Sequence, residues 1–365
     1  MTLRDLIPAP KRVLIVRMSH LGDVAQTLPL VHGIQMLWPS AEIGWAIQPE
    51  FAPLVEPFAR IFPFERRGGA RAWPRIRAAM RAWRPDVTID AQGNWKSAVC
   101  ARLSGAPLRY GFERSAWQEP LAARVAGLEH APPALTSPRH LVARCHSIAA
   151  HLGVEAPHEL RLDPLLSTAE VERGRHLLLD ALGEAPGSSR PGASAPPVTV
   201  LHPGVPADPR TWPEHSFLEL GQRLVGRGRR VLFLTGPGEA ASGEALRAAV
   251  PEAAHVVGQR GLRDLCAILH AAAERRGELF TSDSGPAHIA ASVGLPVRLL
   301  AGPEDPRRTG PWPPIGSAAV GGASQAEESP HRLVQPPADS TTWSRRSIES
   351  VSVDEAERAS DATVL

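Results

Sequence analysis

The chain has few cysteines and no long hydrophobic run, and both absences narrow its class. Its three cysteines among 365 residues, Cys100, Cys145 and Cys266, are scattered and lack metal-ligand spacing, which fits reduced, buried thiols. No apolar stretch reaches the roughly 18 residues that a membrane span requires. The N-terminus also lacks the apolar core of a signal peptide. We therefore expect a cytoplasmic protein with at most peripheral membrane contact.

Charge and cofactor motifs are limited as well. A formal net charge of +2 predicts no general binding of nucleic acid. No Asp-x-Asp motif is present to hold a divalent metal on a nucleotide diphosphate, so no metal or other cofactor is expected. Neither half has the Gly-x-Gly-x-x-Gly fingerprint after its first predicted strand, which argues against a nicotinamide dehydrogenase. Lysine occurs only at Lys11 and Lys96, so nearly every cation is an arginine.

The sequence does contain a repeated alternation of strands and helices. Short apolar runs predict strands at 13–16, 43–47, 87–90, 198–202, 231–235, 279–282 and 297–300. Helical periodicity lies between them, at 24–38, 72–83, 95–103, 140–152, 216–226, 240–249, 261–273 and 286–293. This alternation predicts an α/β fold of two doubly wound parallel sheets. Two such domains commonly enclose a ligand cleft.

Composition sets the predicted domain boundaries. We assign residues 1–182 to an N-terminal Rossmann-like domain and residues 198–314 to a C-terminal one. Segment 183–197 is rich in Gly, Pro, Ser and Ala and is predicted to be a linker. Residues 315–365 are predicted to form an irregular tail with a final helix at 352–363, which a Ser-x-x-Glu capping box opens.

One carboxylate directly follows the first predicted strand. The segment MSHLGDV at 18–24 ends that strand and begins a helix, which places Asp23 where parallel sheets bind ligands. Read locally, Asp23 is a helix N-cap, a position that Asp favours. The polar segments at later predicted strand ends favour a functional role for Asp23. A carboxylate can cap a helix and serve in a functional site at the same time.

Three other predicted strand ends carry polar segments, namely DAQGNWKS at 90–97, HPGVPADPRTWP at 202–213 and TSDSGPAH at 281–288. A helix start with unpaired N–H groups suits a diphosphate, and a fixed arginine suits a phosphate. Arg210 and the turn at Ser284 are therefore candidate phosphate contacts, with His288 one turn inside the helix. Capped turns and a proline-rich surface loop are the ordinary explanations of the same segments.

Arginines are concentrated between residues 66 and 84 with no acidic residue among them, at positions Arg66, Arg67, Arg71, Arg75, Arg77, Arg81 and Arg84. Such a stretch attracts an anionic lipid or sugar. A solvated helix face in an arginine-rich proteome explains the same pattern, and both interpretations stay open.

Taken in order, the four segments and RYGF at 109–112 resemble glycosyltransferase family 9, the heptosyltransferases that move heptose from ADP-heptose onto the inner core of lipopolysaccharide. The resemblance runs from about residue 11 to residue 314. Its 89–120 part looks most like the branch that adds the first heptose to Kdo. It implies a GT-B fold, in which two Rossmann-like domains face each other across a cleft. It also implies an inverting, metal-independent transfer from ADP-heptose to an anionic Kdo-lipid A acceptor, with peripheral contact at the inner membrane face.

The resemblance also suggests roles for individual residues. Asp23 matches the family's proposed catalytic base, and Arg210 stands where a phosphate-binding lysine is usual. Donor contacts are implied for Asp283, Ser284, Gly285 and His288, and more loosely for Glu239. The candidate acceptor contacts are Ser19, Gly22, Gln92, Lys96, Arg66 and Arg67.

Two alternatives remain open at this stage. The first alternative to heptose transfer is a GT-B transferase that uses another nucleotide sugar for a different cell-surface glycan. The second is a non-catalytic module that binds sugar nucleotides or lipid. The second alternative arises because the loop GVP at 204–206 lacks the hydroxyls that some family members present to the diphosphate.

Overall fold

The computed structural model describes residues 9–117, 119–130, 140–159, 162–185, 195–205, 208–259, 261–314, 329–334 and 347–361. The chain divides into two compact units, Met1–Pro164 and Leu165–Leu365. Each unit is an α/β layer structure around one parallel sheet.

Within the described residues, the sheet of the first unit has six parallel strands in the order β3-β2-β1-β4-β5-β6. Their bounds are β1 Arg12–Val16, β2 Glu42–Ile47, β3 Arg60–Pro63, β4 Val87–Asp90, β5 Leu108–Gly111 and β6 Glu129–His130. Its helices are α1 Leu21–Ala25, α2 Leu28–Leu37, α3 Ala72–Trp83, α4 Trp95–Ser104, α5 Pro120–Ala126 and α6 Leu141–Leu152. β1, β2 and β4 are almost entirely buried, as expected of strands covered on both faces, whereas β3 at the sheet edge is partly exposed.

Two groups of helices pack on this sheet. Helix α4 packs beside both α3 and α5, and α2 packs beside α6. The core under α3 is tight at Gly44 of β2, where a Cβ atom would lie 2.7 Å from the Phe62 ring and 2.8 Å from the Trp83 ring. Glycine is therefore required there because two aromatic side chains occupy the space.

The second unit repeats the topology, with strand order β12-β11-β10-β7-β8-β9. Its strands are β7 Val198–His202, β8 Arg230–Leu234, β9 Ala254–Val256, β10 Glu278–Ser282, β11 Val297–Leu300 and β12 Arg332–Val334. Its helices are α7 Thr168–Ala181, α8 Glu214–Gly226, α9 Ala240–Ala249, α10 Leu262–Glu274, α11 Gly285–Ser292, α12 Pro306–Thr309 and α13 Val353–Asp361. The predicted α/β architecture with two parallel sheets is confirmed.

The division between the units lies earlier than the boundary we placed at residue 182. Helix α7 packs on α10 of the second unit, and at their crossing a Cβ atom on Gly174 would lie only 2.2 Å from the Ala267 carbonyl oxygen. Ion pairs flank this contact, with Arg173 Nε 2.5 Å from Asp264 Oδ1 and Arg263 Nε 2.6 Å from Glu170 Oε1. These contacts fix α7 to the second sheet, so the first unit ends before α7.

Two other expectations need correction. The helix predicted at 24–38 is two helices, because α1 ends at Ala25 and α2 begins at Leu28 with Pro29 in its first turn. The tail is not irregular throughout, since β12 pairs with β11 and α13 lies within the predicted 352–363. Much of the predicted linker and tail, at 186–194, 315–328 and 335–346, lies outside the described residues.

The C-terminal helix is tied to the second sheet. Ser360 donates to Glu278 Oε1 over 2.6 Å, and Glu278 Oε2 lies 2.9 Å from Arg298 Nε in a fully buried ion pair. Among the helices of the described ranges, none combines the length and the hydrophobicity that crossing a bilayer demands.

Candidate functional site

The same topological point recurs in both sheets and locates the candidate sites. In the order 3-2-1-4-5-6, the connections extend the sheet in opposite directions from the adjacent first and fourth strands, and ligands bind beyond the carboxyl ends of these two strands. In the first unit these are the ends of β1 and β4, which carry segments 18–24 and 90–97. In the second unit they are the ends of β7 and β10, which carry 202–213 and 281–288. All four predicted segments therefore lie at a switch point.

Asp23 is not at the N-cap position that a local interpretation gives it. His20 occupies that position, with φ of 60°, and Asp23 lies inside the first turn of α1. Its carboxylate pairs with the guanidinium of Arg17, and His20 Nδ1 is 3.5 Å from the same oxygen, Asp23 Oδ2. About a third of the Asp23 side chain is exposed, so the carboxylate is accessible from solvent.

The β4 end is organised by a buried carboxylate. Asp90 Oδ1 accepts hydrogen bonds of 2.9 Å from the backbone N–H groups of Gln92 and Gly93. Burial raises the pKa of Asp90 to about 6, against the opposing effect of those hydrogen bonds. Gln92 in turn accepts from the Met18 N–H over 2.7 Å, which joins the β4 loop to the β1 loop.

A pocket of about 310 Å³ lies between these loops. It brings together four predicted acceptor residues, Ser19, Gln92, Lys96 and Arg66. The walls that the structure describes do not include Gly22, which is buried in α1, or Arg67, which is exposed. Its other lining residues are Met18, His20, Gln48, Phe64, Asn94, Trp95 and Glu119.

Sequence reasoning overlooked several of these lining residues. Gln48 directly follows β2, so the strand-end rule that selected Asp23 selects it as well. Glu119 had no such signal, because it reaches the pocket through a loop contact, its Oε2 accepting from the Trp95 N–H over 3.3 Å.

In the second unit, a buried chain of polar groups connects three strand ends. His202 Nδ1 is 3.2 Å from Thr281 Oγ1, which is 3.0 Å from Ser284 Oγ. On its other side His202 Nε2 is 3.5 Å from Glu239 Oε2, which also accepts from the Gly236 N–H over 2.8 Å. Burial lowers the pKa of His202, which favours the neutral ring. Glu239 is thus placed at the end of β8 with little exposure.

Arg210 is paired within its own loop. Its Nε and Nη2 atoms lie 3.0 and 2.7 Å from the two carboxylate oxygens of Asp208, a bidentate arrangement. This arginine holds the pKa of Asp208 below its ordinary value. Half of the Arg210 side chain is exposed. Trp212 anchors the end of this loop. Its backbone N–H donates to Ser282 Oγ over 2.9 Å, and its indole Nε1–H donates to the Val351 carbonyl oxygen over 2.9 Å.

The turn after β10 matches the predicted helix start. Ser284 is the N-cap of α11, and Gly285 and Pro286 begin that helix. Asp283 Oδ1 lies 3.8 Å from His288 Nε2, and Thr309 donates to Asp283 Oδ2 over 3.4 Å. Arg210 and Asp283 also line one small pocket, together with Glu304 and residues 299, 301–303 and 306. The structure thus brings Arg210 to the Asp283 turn.

No group of three or more His, Cys, Asp or Glu side chains in the described part of the chain is arranged to hold a metal ion. The three cysteines are buried, and burial raises the pKa of Cys145 and Cys266 to about 12.

The sequence profile of glycosyltransferase family 9 (heptosyltransferase) matches residues 73–335, which is more than half of the chain. The chain belongs to glycosyltransferase family 9. It is therefore a glycosyltransferase, and the predicted likeness to the heptosyltransferase I branch is confirmed by curated relatives. The family 9 chain is 29% identical to lipopolysaccharide heptosyltransferase 1 of Pseudomonas aeruginosa, over 82% of this chain and 81% of that protein. It is 27% identical to the protein of the same name from Salmonella typhimurium, over 81% and 89%.

Solved structures agree on the fold. Heptosyltransferase WaaC of Escherichia coli with ADP superposes with a TM-score of 0.71 and 22% identity, covering 97% of this family 9 chain and all of that one. A family 9 glycosyltransferase of Veillonella parvula gives 0.73 and 16%, covering 97% of each chain. The GT-B fold class is confirmed by these neighbours.

Proposed function

We propose that this chain transfers heptose from ADP-heptose to the Kdo region of the lipopolysaccharide inner core, with inversion and without a metal. Its membership of family 9 and its similarity to heptosyltransferases 1 support the transfer of heptose to lipopolysaccharide. The observation that carries the finer assignment is the pair of switch points. At one of them Asp23 belongs to the turn whose Ser19 and His20 line a polar pocket, and at the other Arg210 lies beside the turn that begins helix α11.

The proposed reaction is a single displacement. The Asp23 carboxylate takes the proton of an acceptor hydroxyl while that oxygen bonds to the anomeric carbon of heptose. The bond from that carbon to the diphosphate oxygen breaks, and ADP leaves with the electron pair. Arg210, Ser284 and the N-terminus of α11 at Gly285 counter the charge that develops on the diphosphate. Asp283, His288 and Glu239 complete the proposed donor contacts.

Arg210 has to exchange or share partners to do this. Its bidentate contact with Asp208 places the guanidinium beside the Asp283 turn, and the exposed half of the side chain remains available to an anion. In the proposal, Asp208 restricts the rotamers of Arg210 before the donor binds.

The base assignment is tested with Asp23→Asn. General-base catalysis contributes typically 10²–10⁴-fold, so heptosyl transfer should fall by about that factor. ADP affinity should stay nearly unchanged, because the proposed donor contacts lie in the other unit. Asp86→Asn is the matched control, since Asp86 accepts the N–H bonds of Lys11 and Arg12 at the opposite end of the same sheet. Substantial turnover by Asp23→Asn would refute the assignment.

We also propose that the acceptor is an anionic glycolipid. The first-unit pocket contains two cations, Arg66 and Lys96, which suit the carboxylates of Kdo, while Ser19 and Gln92 offer hydrogen bonds. Arg67, which is exposed next to Arg66, adds positive charge, and Gly22 is proposed to act only through the turn that carries Asp23. A non-catalytic module would bind ADP-heptose without releasing ADP when the acceptor is added, which separates the two functions.

A contact with the anionic membrane face is the last part of the proposal. Helices α3, α4 and α5 lie side by side and contain no Asp or Glu. Their cations are Arg75, Arg77, Arg81, Lys96, Arg102 and Arg124. Exposed apolar side chains accompany them, with Trp95 at 42% exposure and Leu121 at 62%. Residues 1–164 contain twenty Lys and Arg against fourteen Asp and Glu, and residues 165–365 contain twenty against twenty-four.

Flotation with vesicles tests this contact. Binding to vesicles that contain anionic phospholipid should exceed binding to neutral vesicles and should weaken with salt. A basic residue near such a surface is worth about 1 kcal/mol. Reversing Arg75, Arg77 and Arg81 of α3, which are all exposed, to Glu should therefore reduce binding by roughly 100-fold or more. The control reverses Arg230, Arg247 and Arg358, which are exposed in the second unit. Equal effects of the two triple variants would contradict the proposal.

A further inference from the structure

A buried arginine underlies the carboxylate proposed as base. Arg17 directly follows β1, and only 7% of its side chain is exposed. Its Nη2 pairs with Asp23 Oδ2, while its Nη1 donates to the Ala91 carbonyl oxygen over 2.8 Å. The guanidinium thus joins the start of α1 to the loop after β4.

The main chain of Arg17 is fixed as well as its side chain. Its carbonyl oxygen accepts from the indole N–H of Trp45 over 3.0 Å, and Trp45 is fully buried. The next residue, Met18, donates its N–H to Gln92 Oε1. The peptide unit between Arg17 and Met18 is therefore held on both sides, by Trp45 of β2 and by Gln92 in the loop after β4, which fixes the main chain from which the guanidinium extends.

A buried guanidinium is strongly unfavourable unless its charge is paired. In the described structure the Arg17 Nε atom has no hydrogen-bond partner, so the side chain depends on Asp23 and Ala91 for compensation. If Asp23 rotated away, that cation would lose its paired charge. The pair therefore holds the Asp23 carboxylate in one position and favours its ionised form.

We propose that Arg17 is a positioning residue that orients the Asp23 carboxylate for proton abstraction and aligns it with the pocket formed by the β4 loop. This inference rests on the proposed function, in which Asp23 is the base. Arg17 itself does not contact substrate in the proposal, since it lies beneath the carboxylate.

The other charged or titratable groups near this pair come from three elements. His20 approaches Asp23 from the same turn, and Asp90 lies near Arg17 at the end of β4. Cys145 and Arg144 of α6 lie near the pair on the remaining side. Cys145 stays neutral because burial raises its pKa to about 12, and Asp90, whose pKa burial raises to about 6, is present unchanged in every variant.

The experiment compares Arg17→Met and Arg17→Lys with Arg12→Met in steady-state heptosyl transfer. Arg12 is the matched control, because its Nη1 donates to the Trp83 carbonyl and its Nε lies 3.4 Å from Glu42, at the other end of β1. Misplacing a reacting group by about 1 Å costs up to 10²-fold in rate. Arg17→Met should therefore lower kcat by about 10- to 100-fold while the KM for ADP-heptose changes by less than about threefold.

Two further readouts separate positioning from general damage. In Arg17→Met the acid limb of the kcat profile should move to higher pH, because no cation opposes protonation of Asp23. Arg17→Lys should restore part of kcat and of the profile. Adding Arg17→Met to Asp23→Asn should cause no further loss, because the two residues act as a unit.

Each measurement has a result that contradicts the proposed role of Arg17. An unshifted acid limb, a kcat within twofold of the native enzyme, or additive losses in the double variant would overturn the role of Arg17. Thermal unfolding and ADP binding verify the fold of each variant, and Arg17→Lys keeps the test valid if Arg17→Met does not fold. Turnover by Asp23→Asn refutes the base itself, whereas an inactive Asp23→Asn with a normal Arg17→Met refutes only the positioning role.

Discussion

Asp90→Asn should change how the stability of the first unit depends on pH. Asp90 is completely buried at the end of β4, and burial raises its pKa from 3.8 to about 6. Between these values the folded chain binds a proton that the unfolded chain has released. The native carboxyl therefore makes the unit more stable at low pH, and this contribution disappears as pH rises through 6.

The magnitude follows from the same two values. A difference of one in pKa corresponds to 1.36 kcal/mol, so the full contribution is roughly 3 kcal/mol. Between pH 4 and pH 7 about 2.4 kcal/mol of it should be lost. Asparagine has no charge to desolvate, yet its carbonyl oxygen can still accept from the N–H groups of Gln92 and Gly93.

The assay is urea unfolding from pH 4 to pH 7, with amide exchange in β1 and β4 peptides used to follow the first unit separately from the second. The free energy of unfolding of Asp90→Asn minus that of the native chain should rise by about 2.4 kcal/mol across this range. Asp86→Asn controls for the change of carboxylate to amide, since Asp86 also accepts two backbone N–H bonds. A difference that does not vary with pH would refute the reasoning.

Three further predictions follow from packing and charge. His331 is held neutral, because Nδ1 accepts from the Val297 N–H and Nε2 lies 3.1 Å from the Trp312 carbonyl. Burial lowers its pKa to about 4, so the second unit should lose roughly 3 kcal/mol as pH falls from 6.5 to below 4, and urea unfolding of His331→Gln should lack this loss. Gly174→Ala should destabilise by about 1–3 kcal/mol through its clash with the Ala267 carbonyl, whereas Gly226→Ala, which meets nothing within 4 Å, should leave thermal stability equal or higher. Arg210→Ala should weaken ADP binding in calorimetry by about 10- to 100-fold, since a hydrogen bond to a charged group is worth about 1.5–3 kcal/mol, and an unchanged Kd would exclude Arg210 from the donor site.

Part of this fold could be predicted from the sequence because its central strands are unambiguous. β1, β4, β7 and β10 are buried apolar runs that are followed by polar strand ends, and all four were located. The strands that escaped prediction are short and lie towards the sheet edges, such as β6 with two residues and β12 with three. Their pairing depends on tertiary contacts that local periodicity does not contain.

The candidate sites follow the same division. Site residues at the ends of central strands can be predicted from the sequence, because the topology of a parallel sheet places those ends together. Contacts between individual side chains cannot be predicted in this way. Nothing in the sequence indicated that Asp208 pairs with Arg210 or that Arg17 lies beneath Asp23. The sequence likewise does not indicate which sheet the helix at 168–181 joins, because that depends on its packing at Gly174 against Ala267.

The hydrogen bond from Trp212 to the Val351 carbonyl has a consequence for experiments on this chain. The C-terminal segment is a support of the loop that carries Arg210, although more than a hundred residues separate them in sequence. Deleting the chain from Val351 onward would leave the indole N–H buried without an acceptor and would also remove Ser360 from Glu278. A truncated or C-terminally cleaved preparation should therefore lose nucleotide affinity before it loses secondary structure, so affinity tags belong at the other end.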